Sequence, residues 1–381
     1  MSQLNNITCR IIASAAMLAI VISGSSFAFV SGNDITQADI IPRVNDGPYV
    51  FVNEKQELDS YWLCQGDVVH KTAKPTKFPL PINACHLPAN IHGFSSIENK
   101  LLEFSGDFPI AALSDFHGKY DLMIELLTNN HIIDENQKWA FGKGHFIITG
   151  DIFDRGDKVT EILWFLYDLE QQASKAGGHI HLTLGNHEVM VLNGDLRYLH
   201  PKYVETAIKL GMPFEKLFTK ESILGNWLRS KPVLVKVNNM LFAHGGFHPS
   251  LATEKRSIIE INKVFKNSLV KSELLTPRKG WAKFLHSSHG PIWYRGYFAK
   301  ERGKDNGATA SEIALLLQHF EVTHLIVGHT SLKQIETRYQ GRVIAIDSSI
   351  KRGSYGEILF IENGKMWRGS LSGKVLPLYQ Q

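Results

Sequence analysis

Little in this chain is extreme, and what is scarce excludes something. Across 381 residues, 41 Lys and Arg stand against 37 Asp and Glu, for a formal net charge of +4. With only a slight excess of one sign and no block of like charge, no nucleic-acid partner and no strong attraction to a membrane surface are expected. The most apolar run is too short for a comfortable membrane-crossing helix of ~20 residues, a retained N-terminal anchor being the alternative. The most apolar stretch, Ile11 to Ile22, follows Arg10 and precedes Ser26-Phe27-Ala28. That order describes a secretory signal cleaved after Ala28, so the expected location is periplasmic or secreted, with no membrane attachment after cleavage. There is no internal repeat and no low-complexity tract.

Cysteine is rarer still, with three in the chain. Cys9 leaves with the signal. Cys64 and Cys85 lie in a segment that also carries Pro75, Pro79, Pro81 and Pro88. In an oxidising compartment the two could bridge, contributing roughly 3 kcal/mol in the chain-entropy model; two buried free thiols are the alternative. Six residues after Cys64 stands His70, and six after Cys85 stands Ile91. A thiol-based phosphate loop needs Arg at that spacing, so chemistry on phosphate would have to use metal.

What is present is a series of five short motifs: Asp115-Phe116-His117-Gly118, Gly150-Asp151-Ile152-Phe153-Asp154-Arg155-Gly156, Gly185-Asn186-His187-Glu188, His244-Gly245-Gly246 and Gly328-His329. Each supplies Asp, Asn or His, the mixed nitrogen and oxygen donors that hold catalytic divalent metals. Each follows an apolar run: Ile110 to Leu113, Phe146 to Ile148, Ile180 to Leu184, Met240 to Ala243 and Leu325 to Val327. Such runs read as buried strands, which puts the donors on loops at strand ends. Length alone suggests about two domains, but motifs spread over residues 110 to 330 must converge on one site. The expected organisation is a signal peptide over 1–28, an N-terminal extension over 29–108 packed on the catalytic domain, and that domain over 109–381.

The five motifs resemble those of the PPP-type, calcineurin-like metallophosphoesterases: Gly-Asp-x-His-Gly, Gly-Asp-x-x-Asp-Arg-Gly, Gly-Asn-His-Glu, His-Gly-Gly and a late His. One position departs, because Ser114 stands where the first motif usually has Gly, a change expected to touch backbone packing and no ligand. The resemblance covers roughly Pro109 to Arg368. It implies an α/β fold, a central β-sandwich flanked by helices, with the metal site on loops at strand ends. It also implies phosphomonoester hydrolysis by in-line attack of a hydroxide bridging two divalent metals (Mn, Fe, Zn or Mg), with inorganic phosphate as product. One metal would be held by Asp115, His117 and Asp151, and the other by Asp151, Asn186, His244 and His329. His187 would protonate the leaving oxygen, with Asp154 orienting it. Arg155 and Arg295 would grip phosphoryl oxygens, Arg295 touching only substrate.

Arg295 lies in Trp293-Tyr294-Arg295-Gly296, and Gly328-His329 runs on into Thr330 and Ser331, lacking the second His of purple acid phosphatases and secreted nucleotidases. With the export signal and long extension, these features resemble the Shewanella-like protein phosphatases and imply phosphorylated protein or peptide substrates carrying phosphotyrosine. Dinucleoside tetraphosphate hydrolases share the late Trp-x-Arg-Gly and Gly-His-Thr features and form the alternative, as does a Ser/Thr-specific phosphatase. A catalytically dead binding protein is disfavoured because every nominated residue is intact. His179, His181, His324 and His248 are read as packing residues, and so is the cluster Trp293, Tyr294, Tyr297 and Phe298. Helices are expected over Tyr120–Asn129, Val159–Lys175, most of Gly194–Ser230, Leu251–Leu275 and Ala310–Phe320. A hairpin is expected across Asn238-Asn239, and short strands from Arg342 to Trp367.

Overall fold

Alternate residues of each central strand face different neighbours. In the strand Ile110–Leu113, Ile110 and Ala112 join one apolar cluster while Ala111 and Leu113 join another. The same division holds in Met240–Ala243, where Met240 and Phe242 part from Leu241 and Ala243. Strands apolar on both faces must be covered on both faces. Here one face meets a second sheet and the other meets helices. The structure, a computed structural model, describes residues 43–94, 101–298 and 307–380. The signal reading around Arg10, Ile11 to Ile22 and Ala28 lies outside the described residues.

Two sheets form the sandwich. One holds six strands in the order Val375–Pro377, Lys365–Ser370, Glu357–Glu362, Ile110–Leu113, His145–Ile148 and His179–Leu182. The other holds seven: Tyr379–Gln380, Glu336–Arg338, Val343–Ala345, His324–Val327, Met240–Ala243, Leu234–Val237 and Glu103–Phe104. Between them lies the cluster of Ile110, Ala112, Ile147, Val235, Phe242, Ile326, Ile344 and Leu359. In the first sheet Ile110–Leu113, His145–Ile148 and His179–Leu182 run parallel. In the second, Met240–Ala243, His324–Val327 and Val343–Ala345 do too. Parallel strands deliver their C-terminal loops to one edge, where ligands collect in open α/β sheets.

Helices cover the outer faces. Tyr120–Asn129 buries Leu122, Met123, Leu126 and Leu127 on one stripe. Val159–Lys175 buries Ile162, Leu163, Leu166 and Leu169, with Glu161 in its first turn and Lys175 in its last, and Gly177 follows at φ +79°. Ala310–Phe320 runs as expected. Leu251–Leu275 is a correction: it divides into Ser250–Thr253, Ile258–Asn267 and a 3₁₀ turn, Lys271–Glu273. Lys255 breaks it at φ +51°, and Ser257 Oγ restarts it by accepting the Glu260 amide. Within Gly194–Ser230, Gly211 at φ +64° and Pro213 likewise separate Pro201–Leu210 from Phe214–Phe218 and Ile223–Arg229.

Residues 43–94 build a three-stranded sheet, Asp46–Val52, Leu58–Cys64 and Asp67–Ala73, and a hairpin, Leu80–Ala84 with Leu87–Ile91. Cys64 and Cys85 are disulfide-bonded with Cα atoms 5.7 Å apart, tying the hairpin turn to the sheet. This layer lies on the Val159–Lys175 helix, where Trp164 Nε1 donates to the Pro48 carbonyl at 2.9 Å and Tyr49 is fully enclosed. Asp46, buried, accepts from Tyr49 and from Thr206 at 2.7 and 2.8 Å.

Two of the histidines read as packing, His179 and His181, stack with His145 at the sheet edge. His145 and His181 share one hydrogen bond of 2.9 Å between Nδ1 and Nε2, with His179 and Phe104 against them. Burial, then the charge of His179, pushes His145 down to about 4. Burial, His145 and His179 push His181 well down; Glu170 opposes and Lys231 adds to the effect. Unfolded imidazoles titrate near 6.5, so the unfolded chain binds more protons below that value. The contribution is complete above pH ~6.5 and is lost as pH falls towards 4. Melting curves between pH 7 and 4.5 should show this decline, and the double variant His145→Gln, His181→Gln should show a shallower one.

Candidate active site

The five loops converge on one carboxylate. Asp151 Oδ2 lies 3.2 Å from His244 Nε2, 3.5 Å from His117 Nε2 and 3.9 Å from His187 Nε2. His117 Nε2 is also 3.7 Å from Asp115 Oδ1. His244 Nε2 lies 3.0 Å from both Asn186 Oδ1 and His329 Nδ1. Asp115, His117, Asp151, Asn186, His187, His244 and His329 are all buried, with exposures of 0–5%. Sequence-nominated residues from both sheets thus meet in one place.

Tautomers are set from behind. His117 Nδ1 donates to the Phe153 carbonyl at 2.8 Å and His244 Nδ1 to the Thr149 carbonyl at 2.7 Å. Each Nε2 is thereby directed at Asp151, the arrangement by which proteins present imidazole to a metal. His329 Nε2 is buried with no hydrogen-bond partner. Two sets of donor atoms, His117–Asp151–His187 and Asp151–His244–His329, lie mutually within 4.8 Å. An orphaned imidazole nitrogen among buried carboxylates fits divalent metal binding.

Electrostatics say the same. Burial would raise the Asp151 carboxyl, yet the charges of His244 and His187 hold it well below the usual range. Burial would lower His244, yet Asp151 holds it up at about 9. His329 is pushed well down by burial and by the charges of His244 and Arg295. The carboxylates demand positive charge, and divalent ions would exchange for the imidazole protons.

Backbone strain concentrates here. Asp115, His117, Asp151, Asp154, Arg155 and His329 all have φ between +47° and +70°, a region that non-glycine residues avoid unless surrounding structure enforces it. Part of the enforcement comes from Glu188. Its Oε2 accepts from the amides of Gly185 and Asp151 at 2.7 and 2.9 Å, and its Oε1 from Ile152 and Phe153 at 2.6 and 3.3 Å. A Cβ on Gly185 would stand 2.3 Å from Asp151 Oδ1, so glycine is required there.

His187 stands apart from the other imidazoles. Its Nδ1 lies 2.5 Å from Asp154 Oδ2, its amide donates to Asp151 Oδ1 at 3.0 Å, and its Nε2 is 3.4 Å from the Arg155 guanidinium. Burial lowers its pKa, but Asp151 and Asp154 outweigh this and leave it raised. Arg295 needs correction. Its Nη2 lies 3.2 Å from His329 Nδ1, so it touches a donor residue as well as facing the site. Ser114 needs correction too. Its hydroxyl donates to Asp115 Oδ2 at 2.5 Å and accepts from Thr149 Oγ1 at 2.8 Å. The His329 amide donates to the same Asp115 oxygen at 2.9 Å. The serine therefore orients the carboxylate, and a Cβ on Gly328 would stand 2.0 Å from its hydroxyl.

Three residues at the site were not nominated from sequence. Glu188 was inside a motif but had no role. Asp347, fully buried and raised to about 8 by burial and the charge of Asp115, accepts from Ser331 Oγ at 2.5 Å. It follows the run Val343 to Ile346, the same pattern that marked the other loops. Tyr198 lies against His187, with ring centroids 5.4 Å apart. Of the histidines read as packing, His248 accepts the Ser250 amide at 3.1 Å and packs on Tyr294. Tyr294, Tyr297 and Phe298 are buried, whereas Trp293 is half-buried with its edge on His329, centroids 5.6 Å apart.

Residues 108–331 match the calcineurin-like phosphoesterase family. The chain belongs to that family. It is 38% identical to the cold-active protein-tyrosine phosphatase of a psychrophilic Shewanella species, with a TM-score of 0.81 over 88% of this chain and 99% of that one. Shewanella-like protein phosphatase 1 of Plasmodium berghei is 30% identical over 62% of this chain and 65% of its own. The symmetrical bis(5'-nucleosyl)-tetraphosphatase of Nitrosococcus oceani is 26% identical over 71% and 87%. The chain is a metallophosphoesterase, an enzyme that hydrolyses phosphoesters with divalent metal, on the family's β-sandwich flanked by helices.

Glu188 gives a test independent of turnover. An amide has one acceptor oxygen where the carboxylate uses two, so Glu188→Gln faces backbone N–H groups with an NH₂. Metal-free Glu188→Gln should lose roughly 3 kcal/mol of stability by denaturant unfolding, and Glu188→Ala a similar amount. An unchanged midpoint for Glu188→Gln would refute the anchoring role.

Proposed function

We propose that this metallophosphoesterase removes phosphate from tyrosine in proteins or peptides. Two divalent ions, drawn from Mn, Fe, Zn and Mg, would be held by Asp115–His117–Asp151 and by Asp151–Asn186–His244–His329. The observation that carries the reading is Asp151 Oδ2, set between His117 and His244 with donors on both sides. Metal ions held there would supply Lewis acidity toward the phosphoryl group and toward water. The chain's own groups do the rest. Arg155 and Arg295 present guanidinium donors to phosphoryl oxygens. His187, fixed through Nδ1 by Asp154, offers the proton on Nε2 to the leaving oxygen. The preference for tyrosine rests on the likeness to the Shewanella enzyme. Export belongs to the same proposal, supported by Arg10, Ile11 to Ile22 and Ala28 and by a disulfide suited to an oxidising compartment.

A second reading, dinucleoside tetraphosphate hydrolysis, is favoured by the likeness to the Nitrosococcus oceani enzyme. Rates on a phosphotyrosine peptide and on diadenosine tetraphosphate separate the two. The peptide should be the better substrate by kcat/KM, and the reverse order would replace the proposal with the second reading. A chelator should abolish either activity and a thiol-alkylating reagent should spare it.

His187 lies among the possible metal donors as well as beside Asp154, and one variant tells the roles apart. His187→Asn should slow turnover of phosphotyrosine by roughly 10²–10⁴-fold with metal content unchanged. The loss should shrink for aryl phosphates with acidic phenols, which leave without protonation. Loss of metal from the variant would make His187 a ligand.

A further inference from the structure

We propose that Tyr198 is a specificity-determining residue, forming the wall against which an aromatic leaving group lies; this rests on the phosphotyrosine reading above. The argument starts from His187. Asp154 occupies Nδ1, so only Nε2 can reach the leaving oxygen, which must come within ~2.6–3.2 Å of it. The group esterified to that oxygen has to pass what surrounds the imidazole. On one side is His117, edge-on with centroids 4.6 Å apart, within the donor cluster. Another neighbour is Tyr198, at 5.4 Å and tilted by 51°. Unlike the donors, Tyr198 is 44% exposed. A leaving group beside His187 therefore meets a tyrosine ring at the mouth of the site.

That ring is held in place without being buried. The Arg155 amide donates to the Tyr198 carbonyl at 3.0 Å, which ties the segment to the second motif. The Arg155 guanidinium lies 5.2 Å from the ring centroid and that of Arg197 5.7 Å, with Arg197 fixed by two bonds to Asp195 of 2.7 and 2.8 Å. A pre-positioned ring loses little freedom when a second ring arrives, and aromatic pairs at such spacing favour edge-to-face or offset contact. A phosphotyrosyl ring begins at the leaving oxygen and is rigid, so it comes within reach of Tyr198 as that oxygen reaches His187. A phosphoseryl methylene is too small to do so. Discrimination then resides in the leaving group, while the phosphoryl contacts are shared by both esters.

The experiment compares kcat/KM for two peptides of one sequence, carrying phosphotyrosine or phosphoserine, in the wild type and in Tyr198→Ala, Tyr198→Leu and Tyr198→Phe. The phosphotyrosine-to-phosphoserine ratio should fall between roughly twofold and tenfold in Tyr198→Ala. It should fall in Tyr198→Leu, which keeps apolar bulk without a ring, and should stay near wild type in Tyr198→Phe. If Tyr198 only steadies Arg155, both substrates lose rate equally, the ratio holds, and the proposal is overturned. A wild type that fails on the phosphotyrosine peptide overturns the functional reading instead, an outcome visible before any variant is made.

Discussion

One buried carboxylate sets the terms for the rest of this molecule. Asp151 is ionised although it is enclosed, and an uncompensated charge there would cost several kcal/mol. The compensation comes from imidazoles carried by loops on both sheets, so the two halves of the sandwich must be brought together for the charge to be tolerated. His117 arrives from the first sheet and His244 and His329 from the second. The Asp151 backbone is itself held in the left-handed region by Glu188. Site and fold are thus one electrostatic problem with one solution, and divalent cations held by these residues would supply the same compensating charge.

The nominated residues were legible because they obey a simple rule: a polar donor just after a short strand-like run rich in buried apolar residues. Asp115, Asp151, Asn186, His244 and His329 all follow it. Asp347 follows it as well, but carried no recognised motif, and its burial became visible only with Val343–Ala345 seated parallel to His324–Val327. Ser114, Glu188 and Tyr198 were illegible for a different reason. Their roles are contacts with a carboxylate, with backbone amides or with a ring, all set by folding, and no spacing announces them. The contact of Arg295 with His329, which joins residues 34 apart, belongs to the same class.

Secondary structure divided along similar lines. Val159–Lys175 and Ala310–Phe320 declare themselves by periodicity and termini, and the loops between strands by glycine. The Leu251–Leu275 segment kept apolar periodicity through a break that Lys255 and Ser257 impose locally. The N-terminal strands were hidden by proline and by exposure on the outer face of Asp67–Ala73, where no alternation of apolar residues marks the pairing.

The family match spans residues 108–331, yet Asp46 lies well outside it. That carboxylate accepts from Thr206 and sits 3.5 Å from the Lys202 ammonium, both on the helix that begins three residues after Tyr198. The strands that close the six-stranded sheet beyond Ile110–Leu113 also fall outside the match. A segment absent from the shared domain therefore braces the helix that follows the mouth of the catalytic centre. A change in that layer would be felt at the mouth without touching a metal-donor residue. In this chain, the layer outside the family match is thus mechanically connected, through Asp46 and the helix Pro201–Leu210, to the mouth of the site.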